Sequence, residues 1–453
     1  MGFTILSPTA ILGYGFPGAS FRRGLACNPD LIAVDAGSVD PGPYYLGAGK
    51  SFTDRAAVKR DLELMLVAGI ERGIPLVVGS AGGAGARPHL QWTVDIVTEI
   101  ATEKDLRFRL GTIAADIAPQ QLQQALAEGR VQALTGAPPL TAESIDQSSG
   151  LVGQMGTEPI EAALEAGCDV IIAGRAYDPA VFAALPILRG YDRALALHMG
   201  KILECATIAA LPGSGADCAL GILERDHFVL QALSETRHFT PTSVAAHSLY
   251  EKSDPYLLPG PGGALDLSGV RFEDIGEGRV AVSGSRFQPT DQSWIKVEGA
   301  CPVGHRSVSI AGARDPAMIA DIDAILEQVQ QRVRDQLPAS VDPEAGQLYF
   351  HVYGKHGVMG DAEPARHSPA HELGIVIEAV APDPGQADTL CSLARSTLLH
   401  YGYPGRLCTG GNLAFPFSPS DIRAGQVYTF SVYHLLQAEP EELFPLQVTE
   451  IRP

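Results

Sequence analysis

The stretch that most constrains the fold is a glycine-rich loop between an apolar run and a helical segment. Residues 74–78 are apolar, residues 79–85 read Gly-Ser-Ala-Gly-Gly-Ala-Gly, and residues 90–102 have helical spacing. Glycine lacks a Cβ atom and adopts positive φ readily, so such a loop can turn sharply and approach another group closely. The sequence therefore predicts a buried strand, a tight turn, here named the glycine loop, and a helix.

Two interpretations of the glycine loop follow from its residues. In the first, backbone N–H groups near Gly82 and Gly83 and the helix N-terminus bind an anion. Arg87 would add a forked donor, and His89 a group that titrates near neutrality. In the second, the small residues only let the helix pack tightly on its strand. The loop is neither a Walker loop nor a dinucleotide fingerprint in its usual register, and we expect it to bind a ligand.

The first 210 residues alternate short β-branched runs with helical segments, which is typical of βαβ units and a parallel sheet. We expect strands at residues 30–34, 76–79, 107–113 and 169–173. Helices are expected at residues 53–72, 90–102, 119–128, 158–166, 179–188 and 194–210. The predicted fold class is α/β, a mostly parallel sheet core with an antiparallel α+β C-terminal part.

Charged side chains follow the expected strands at the points where they end. Asp35 follows the first strand, Arg87 and His89 follow the glycine loop, Asp116 follows the third strand, and Arg175 follows the fourth. Ligands of parallel sheets bind beyond the carboxyl ends of the strands. We therefore expect these side chains to share one crevice, although each acid alone could serve as a helix cap.

From about residue 211 the pattern changes to short alternating runs with turn signals, which predicts antiparallel sheet followed by a helix at residues 316–336. We assign residues 1–338 to an α/β core with an antiparallel insertion from about residue 211, and residues 339–453 to an α+β C-terminal region. The loop at residues 403–412 carries Arg406 and Asn412 among small residues. We expect this loop to be a lid or a second wall of the site.

Composition excludes several classes of protein. The chain has 453 residues and a net charge of −19, so a nucleic-acid partner is not expected, because binding a polyanion needs a cationic face. No apolar run is long enough for a membrane helix, and the N-terminus lacks the basic region of a secretory signal. Its seven cysteines are scattered without a Cys-x-x-Cys pair, so reduced thiols in the cytoplasm are expected.

Five stretches together resemble a known family. They are Gly-Gln-Met-Gly-Thr-Glu-Pro-Ile at residues 153–160, Ala-Gly-Cys-Asp-Val-Ile-Ile-Ala-Gly-Arg-Ala-Tyr-Asp-Pro at 166–179, His-Met-Gly-Lys-Ile-Leu-Glu-Cys at 198–205, Leu-Tyr-Glu-Lys-Ser-Asp-Pro-Tyr at 249–256 and Val-Ala-Val-Ser-Gly at 280–284. In this order they resemble the acyclic terpene utilisation family of AtuA-like proteins. The resemblance implies an α/β core with a further α+β part, and work on branched carboxylates or their CoA thioesters. Because longer members carry an additional small ferredoxin-like domain, it also implies a separate small companion subunit.

Residues on these stretches and in the glycine loop have expected roles in a site. Arg175 and Arg87 would clamp a carboxylate, and Asp178, three residues after Arg175, is expected to bind substrate or to pair with that arginine. Asp116 and His198 are candidates for proton transfer, and Glu204 would orient His198. A buried histidine held by a backbone carbonyl is the alternative for His198.

The sequence supports two hypotheses of function. The first is a cytoplasmic enzyme that acts on a small carboxylate or its CoA thioester by proton abstraction next to a carbonyl, as a lyase or hydratase or as an isomerase. The second is a non-catalytic CoA- or nucleotide-binding scaffold subunit of a two-component catabolic complex. A divalent metal held by Asp35, Asp40 and Asp116 stays open. The expected partners are a small anionic substrate, the companion subunit and further copies of the chain in an oligomer.

Overall fold

A computed structural model describes residues 2–250, 254–338, 341, 346–365, 370–407 and 409–452. The chain divides into two compact units. Unit 1 consists of Met1–Cys301 and Phe430–Pro453, and unit 2 consists of Pro302–Thr429. The sequence places a boundary at residue 338, whereas this division assigns residues 302–338 to unit 2 and the last residues to unit 1.

The described strands, in chain order, are β1 (Phe3–Ser7), β2 (Leu31–Asp35), β3 (Leu76–Gly79), β4 (Phe108–Ile113), β5 (Val131–Ala133), β6 (Gly150–Gly153), β7 (Val170–Ala173), β8 (Ala219–Leu223), β9 (His227–Ala232), β10 (Leu257–Gly260), β11 (Gly263–Asp266), β12 (Arg271–Asp274), β13 (Arg279–Ser283), β14 (Arg286–Pro289), β15 (Trp294–Ala313), β16 (Gln347–Tyr353), β17 (Leu373–Ala381), β18 (Asp421–Gln437) and β19 (Leu446–Ile451).

The described α-helices are α1 (Gly18–Ala26), α2 (Pro43–Ala48), α3 (Arg55–Arg72), α4 (Arg87–Lys104), α5 (Pro119–Ala127), α6 (Ala142–Asp146), α7 (Glu158–Glu165), α8 (Asp178–Leu188), α9 (Arg193–Leu203), α10 (Pro241–Ser248), α11 (Pro316–Ala320), α12 (Ile322–Asp335), α13 (Pro384–His400) and α14 (Pro440–Leu443). Two short 3₁₀ helices span Ala206–Ala209 and Gly360–Ala362. None of the described helices is long and apolar enough to span a membrane.

The main sheet of unit 1 is mixed. Its order is β12-β13-β9-β8-β1-β2-β3-β7-β4-β19. The five neighbouring strands from β1 to β4 in that order pair in parallel, whereas β8, β9, β13 and β12 on one side and β19 on the other pair antiparallel. The prediction of a parallel core is confirmed for the five central strands, and the complete sheet is mixed.

The central strands are buried because helices cover both faces of the sheet. In β2, Leu31 and Ala33 belong to one hydrophobic cluster, and Ile32 and Val34 belong to another. This alternation follows from the two-residue period of a strand, which turns successive side chains to opposite faces. The apolar helix α8 packs against β2 and β3 on one face, and the buried helix α9 packs against α8.

Unit 2 is an antiparallel sheet covered by helices. Within it, β17 lies between β16 and residues 305–313 of β15. Helices α12 and α13 supply much of its buried core, including Ile325, Val329, Leu390 and Leu398, together with Ile375 of β17. This agrees with the α+β character that the alternating pattern predicts for the C-terminal region.

Three elements differ locally from the sequence prediction. Strand β1 was not expected, although it lies at the centre of the main sheet. The helix expected over residues 194–210 ends at Leu203, and Ala206 has a φ of +46°, which an α-helix cannot accommodate. The helix expected over residues 316–336 is divided into α11 and α12 at Asp321.

Candidate active site

A cavity of about 310 Å³ in unit 1 lies at the carboxyl ends of the central parallel strands. Asp35 ends β2 and pairs in register with Gly79, the last residue of β3. The carboxyl groups that line the cavity belong to Asp35, Asp40, Asp178 and Glu204. Its apolar lining includes Ile11, Tyr14, Phe52, Ile208 and Tyr250. The position is the one expected for a ligand site in a parallel sheet.

Asp35 is a buried carboxyl group in the wall of this cavity. Its side chain is almost inaccessible, and Oδ2 accepts a hydrogen bond from the Gly37 N–H at 3.0 Å. Oδ1 is buried without a hydrogen-bond partner among the described residues. Burial raises the pKa of Asp35 well above its usual range, and the carboxylates Asp178 and Glu204 raise it further, while Arg175 opposes them. Asp35 therefore keeps its proton to a higher pH than an ordinary aspartate.

Arg175 contacts Asp178 of the cavity lining but is not itself a lining residue. Its guanidinium group forms hydrogen bonds within the protein. Its Nε donates to Glu298 Oε2 at 2.8 Å, and its Nη1 donates to Asp178 Oδ1 at 3.1 Å. Nη1 also lies 3.3 Å from Ser80 Oγ and 3.1 Å from the carbonyl oxygen of Ala176. Arg175 and Glu298 are 3% and 0% exposed. The expected pairing with Asp178 is present, and the guanidinium group orders buried structure.

Glu204 forms the second charged pair at the cavity. It accepts a hydrogen bond from Lys201 Nζ on the preceding turn of α9, and both side chains are buried. Burial opposes the charged form of Lys201, but the adjacent Glu204 carboxylate raises the pKa of this lysine overall. The Lys201 Nζ also lies 5.6 Å from the ring centroid of Tyr250, a cation–π distance. That ring stacks on His247 with its centroid 5.5 Å away.

The glycines of the glycine loop make close contacts inside the protein. Gly82, Gly83 and Gly85 have φ values of +61°, +98° and +69°, which favour glycine. A Cβ atom at these positions would lie 2.9 Å from His89 Cβ, 2.6 Å from Phe52 Cδ1 and 2.1 Å from the Arg175 backbone nitrogen, respectively. The loop therefore needs glycine for packing against its own chain.

The N–H groups of the glycine loop are largely used within the protein. Those of Ser80, Ala81, Gly83 and Gly85 donate to backbone carbonyl groups, and residues 81–86 are buried. A phosphate or carboxylate would need such N–H groups to be free. These contacts favour the packing interpretation of the loop over the expected anion site.

Arg87, His89 and Asp116 lie apart from the cavity lining. The exposed Arg87 borders a different surface cavity, and its N–H donates to Asp116 Oδ1 at 3.1 Å. His89 Nε2 contacts the carbonyl oxygens of Tyr45 and Lys50 at 3.0 and 3.1 Å, so this nitrogen carries the proton. Burial lowers the pKa of His89. None of these three residues is therefore among those that line the cavity with Asp35, and the expected shared crevice stays a prediction.

His198 is enclosed away from the cavity. Its Nδ1 lies 2.8 Å from Ser285 Oγ, and its Nε2 lies 2.9 Å from Ser248 Oγ. The rings of Phe228 and Phe272 meet it edge-on. Burial lowers the pKa of His198 to about 3, so the ring is neutral near neutrality. Two serine hydroxyl groups, and neither Glu204 nor a backbone carbonyl, hold the ring nitrogens of His198, and its role in proton transfer stays a prediction.

The remaining predicted residues have separate locations. Asp40 lines the cavity, but its carboxylate is exposed and accepts from Ser38 Oγ at 2.6 Å. Among the described residues, no three His, Cys, Asp or Glu side chains form a group that could hold a metal ion. Asp35, Asp40 and Asp116, which the sequence left open as ligands of a divalent metal, therefore do not form such a group.

The loop with Arg406 and Asn412 belongs to unit 2. Both residues border a cavity of about 740 Å³ in that unit. The Asn412 side-chain amide donates to the carbonyl oxygens of Leu398 and Tyr401 at 3.0 and 2.8 Å, and thereby satisfies the end of α13. Arg406 donates to the Gly410 carbonyl oxygen within its own loop. The contacts of Asn412 are those of a structural cap.

Sequence reasoning missed Lys201, Tyr250 and Glu298. Lys201 and Tyr250 stand inside stretches that carry the family resemblance, and the three-residue spacing of Lys201 and Glu204 on a helix could have indicated their contact. Glu298 lies in an alternating strand pattern at a buried position. A charged residue at an inward position of a strand was the available signal for a buried ion pair.

Fold and site together define a mixed α/β protein with an acid-lined cavity at the carboxyl edge of its parallel strands. The family model described as "Acyclic terpene utilisation family protein AtuA" matches residues 52–217 and 221–422. The chain therefore belongs to this family, as the resemblance predicted, and the family implies a role in acyclic terpene catabolism. The matched ranges include Asp178 and Glu204, whereas Asp35 precedes them. Comparison with curated proteins and with solved structures gave no match.

Proposed function

We propose that this chain is a cytoplasmic enzyme of acyclic terpene catabolism that moves a proton next to the carbonyl of a small acyclic carboxylate or its CoA thioester. The observation that carries the proposal is Asp35, a buried carboxyl group with a raised pKa and an unpartnered Oδ1, which lines a cavity together with Glu204. Carboxyl groups whose environments push their pKa values apart are characteristic of acid–base catalysis.

Asp35 and Glu204 have different surroundings, and we assign them different roles in proton transfer. Asp35, whose raised pKa favours the protonated form, acts as the general acid. Glu204, which is paired with Lys201, acts as the general base for the proton next to the carbonyl. The same pair supports an isomerase, in which Asp35 returns a proton to the carbon chain, and a hydro-lyase, in which Asp35 protonates a leaving hydroxyl group.

The lining of the cavity suits a branched hydrocarbon. Ile11, Phe52 and Ile208 supply apolar surface beside the carboxyl groups, and Tyr14 and Tyr250 are half exposed at the same cavity. Pockets that combine an apolar lining with a few convergent polar groups are typical binding sites for small molecules. The scaffold hypothesis has less support, because the N–H groups that would bind a CoA or nucleotide phosphate are largely bonded within the protein.

Solvent deuterium exchange tests the proposal. Branched acyclic acids and their CoA thioesters are incubated with the protein in deuterated buffer, and deuterium next to the carbonyl is measured by mass spectrometry. We expect exchange with the wild type and a loss of roughly 10²–10⁴-fold in Asp35→Asn and in Glu204→Gln, the usual contribution of a general acid or base.

The matched control is Asp226→Asn, because the Asp226 side chain is 88% exposed and lies outside the cavity lining. Exchange that persists in both cavity variants would refute the proposed roles. The companion subunit and the oligomeric state stay predictions, which copurification and light scattering test.

A further inference from the structure

The charges around the cavity of unit 1 restrict the group that can enter it. Four carboxyl groups line the cavity, those of Asp35, Asp40, Asp178 and Glu204. Among the described residues of this lining there is no lysine, arginine or histidine. A ligand in this cavity therefore meets carboxyl oxygens and apolar side chains.

The nearby cations are engaged with carboxylates of the protein. Arg175 bonds Glu298 and Asp178 at 2.8 and 3.1 Å. Lys201 bonds Glu204, and Lys296 bonds Glu298 at 2.8 Å. These pairs are buried or half-buried, so solvent has little access to them. Each charge is therefore compensated mainly by its partner in the pair. Within the part of the chain that the structure describes, a free carboxylate would have to break one of these pairs to gain a cation from them.

The unpartnered oxygen of Asp35 is the independent sign of a ligand. Asp35, which lines the cavity, is 5% exposed, and its buried Oδ1 has no hydrogen-bond partner among the described residues. A buried carboxyl oxygen without a partner is costly, and a ligand hydroxyl or carbonyl group can satisfy it. A carboxylate ligand would instead set a third negative charge beside Asp178 and Glu204.

We propose that the group entering this cavity is uncharged, an alcohol, an amide or the carbonyl of a thioester, and that free carboxylates are excluded. The inference rests on the proposed function in taking this cavity as the substrate site. A neutral hydroxyl, amide or carbonyl group lies next to the Asp35 carboxyl group, and a hydroxyl or amide donor meets Glu204 or Asp178. The apolar wall of Ile11, Phe52 and Ile208 receives the branched hydrocarbon part.

A set of ligands with one carbon skeleton and different charge tests the inference. Isovaleramide, isoamyl alcohol, isovalerate and isoamylamine are titrated into the full-length protein near pH 7.5, and binding is measured by saturation-transfer NMR. We expect the amide and the alcohol to bind, and isovalerate to bind about ten- to a hundredfold more weakly, from one like charge about 6–12 Å away at an effective dielectric of about 20.

Each other outcome overturns the inference. Isovalerate binding as tightly as isovaleramide would show that a cation is available to the ligand. Isoamylamine binding more tightly than the neutral members would define a cation site, and no binding by any member would mean that the cavity is not a ligand site. Asp35→Ala should weaken the alcohol and the amide, which locates their binding.

The variant Asp178→Asn tests the electrostatic cause. Asp178 is partly exposed at the start of α8, and Arg175 keeps its bond to Glu298 when the Asp178 charge is removed. We expect isovalerate to gain about tenfold in affinity relative to isovaleramide, while Asp226→Asn leaves the ratio unchanged. An unchanged ratio in Asp178→Asn would overturn the electrostatic exclusion.

Failure of this inference and failure of the proposed function give different results. Binding of neutral ligands without any deuterium exchange would refute the proposed enzyme activity and support the charge preference. Deuterium exchange on free carboxylates at the same rate as on thioesters would support the proposed enzyme activity and refute the charge preference.

Discussion

The substitution Arg175→Lys distinguishes a buried structural arginine from a substrate clamp. Arg175 is 3% exposed, and its guanidinium group reaches Glu298 through Nε and Asp178, Ser80 and Ala176 through Nη1. A lysine keeps the charge but gathers its donors on one nitrogen atom. It can remain near Glu298 or near Asp178, and the other of these two carboxylates then loses its contact with residue 175.

The magnitude follows from the burial of the pair. An exposed ion pair contributes about 0–1 kcal/mol, but breaking a buried pair costs about 3–5 kcal/mol because an uncompensated charge stays inside. Glu298 is fully buried and retains Lys296 as its other partner at 2.8 Å, which favours the lower part of that range. We therefore expect Arg175→Lys to lower the free energy of unfolding by about 3 kcal/mol.

Denaturant unfolding followed by circular dichroism measures this loss. The control is Arg193→Lys, since Arg193 and Glu158 form a pair at 2.8 Å with side chains 30% and 35% exposed. We expect the control to lose at most about 1 kcal/mol. A free energy of unfolding that is unchanged in Arg175→Lys, together with a large loss of turnover, would refute the structural role and place Arg175 on the substrate.

Three further substitutions test other parts of the structure. Gly83→Ala should cost about 1–3 kcal/mol in denaturant unfolding, because φ is +98° and the new Cβ meets Phe52 at 2.6 Å; an unchanged midpoint would contradict this. The pKa of His198 is lowered to about 3, so its contribution to stability is present above the unfolded value near 6.5 and falls by about 1.4 kcal/mol per pH unit between these values. His198→Gln should flatten the stability–pH curve in that range, and an unchanged slope would show that another group causes it. Asp116→Asn retains the acceptor for the Arg87 N–H, so deuterium exchange should be unchanged, and a severe loss would restore Asp116 as a proton carrier.

Local patterns predicted most of the elements of unit 1. The run 74–78, the glycines after it and the helical spacing that follows correspond to β3, the glycine loop and α4. Four expected strands and their helices match because buried parallel strands are continuously apolar and amphipathic helices have a distinct period. The position of Asp35 at the end of β2, and hence its place at the carboxyl edge of the sheet, was predictable in the same way.

Partners distant in sequence were not predictable from such patterns. Arg175 and Glu298 are 123 residues apart, and His198 and Ser285 are 87 residues apart. An arginine at a strand end or a histidine in a helix is compatible with ligand binding, catalysis or burial. The residue type alone does not show which side chain will be its hydrogen-bond partner. Strand β1 was missed for a related reason. It has only five residues, and it is a strand because it pairs with β8 and β2 on either side.

The amino-acid sequence by itself determined the alternation of strands and helices, the tight turn at the glycine loop and the family, because each depends on neighbouring residues or on ordered stretches of them. Only the tertiary structure decided which charges are neutralised. Glu298 and Asp178 accept hydrogen bonds from Arg175, Glu204 accepts one from Lys201, and Asp35 is left with a raised pKa and one unpartnered oxygen. Burial and the distance between charges set a pKa, and both exist only after the chain has folded.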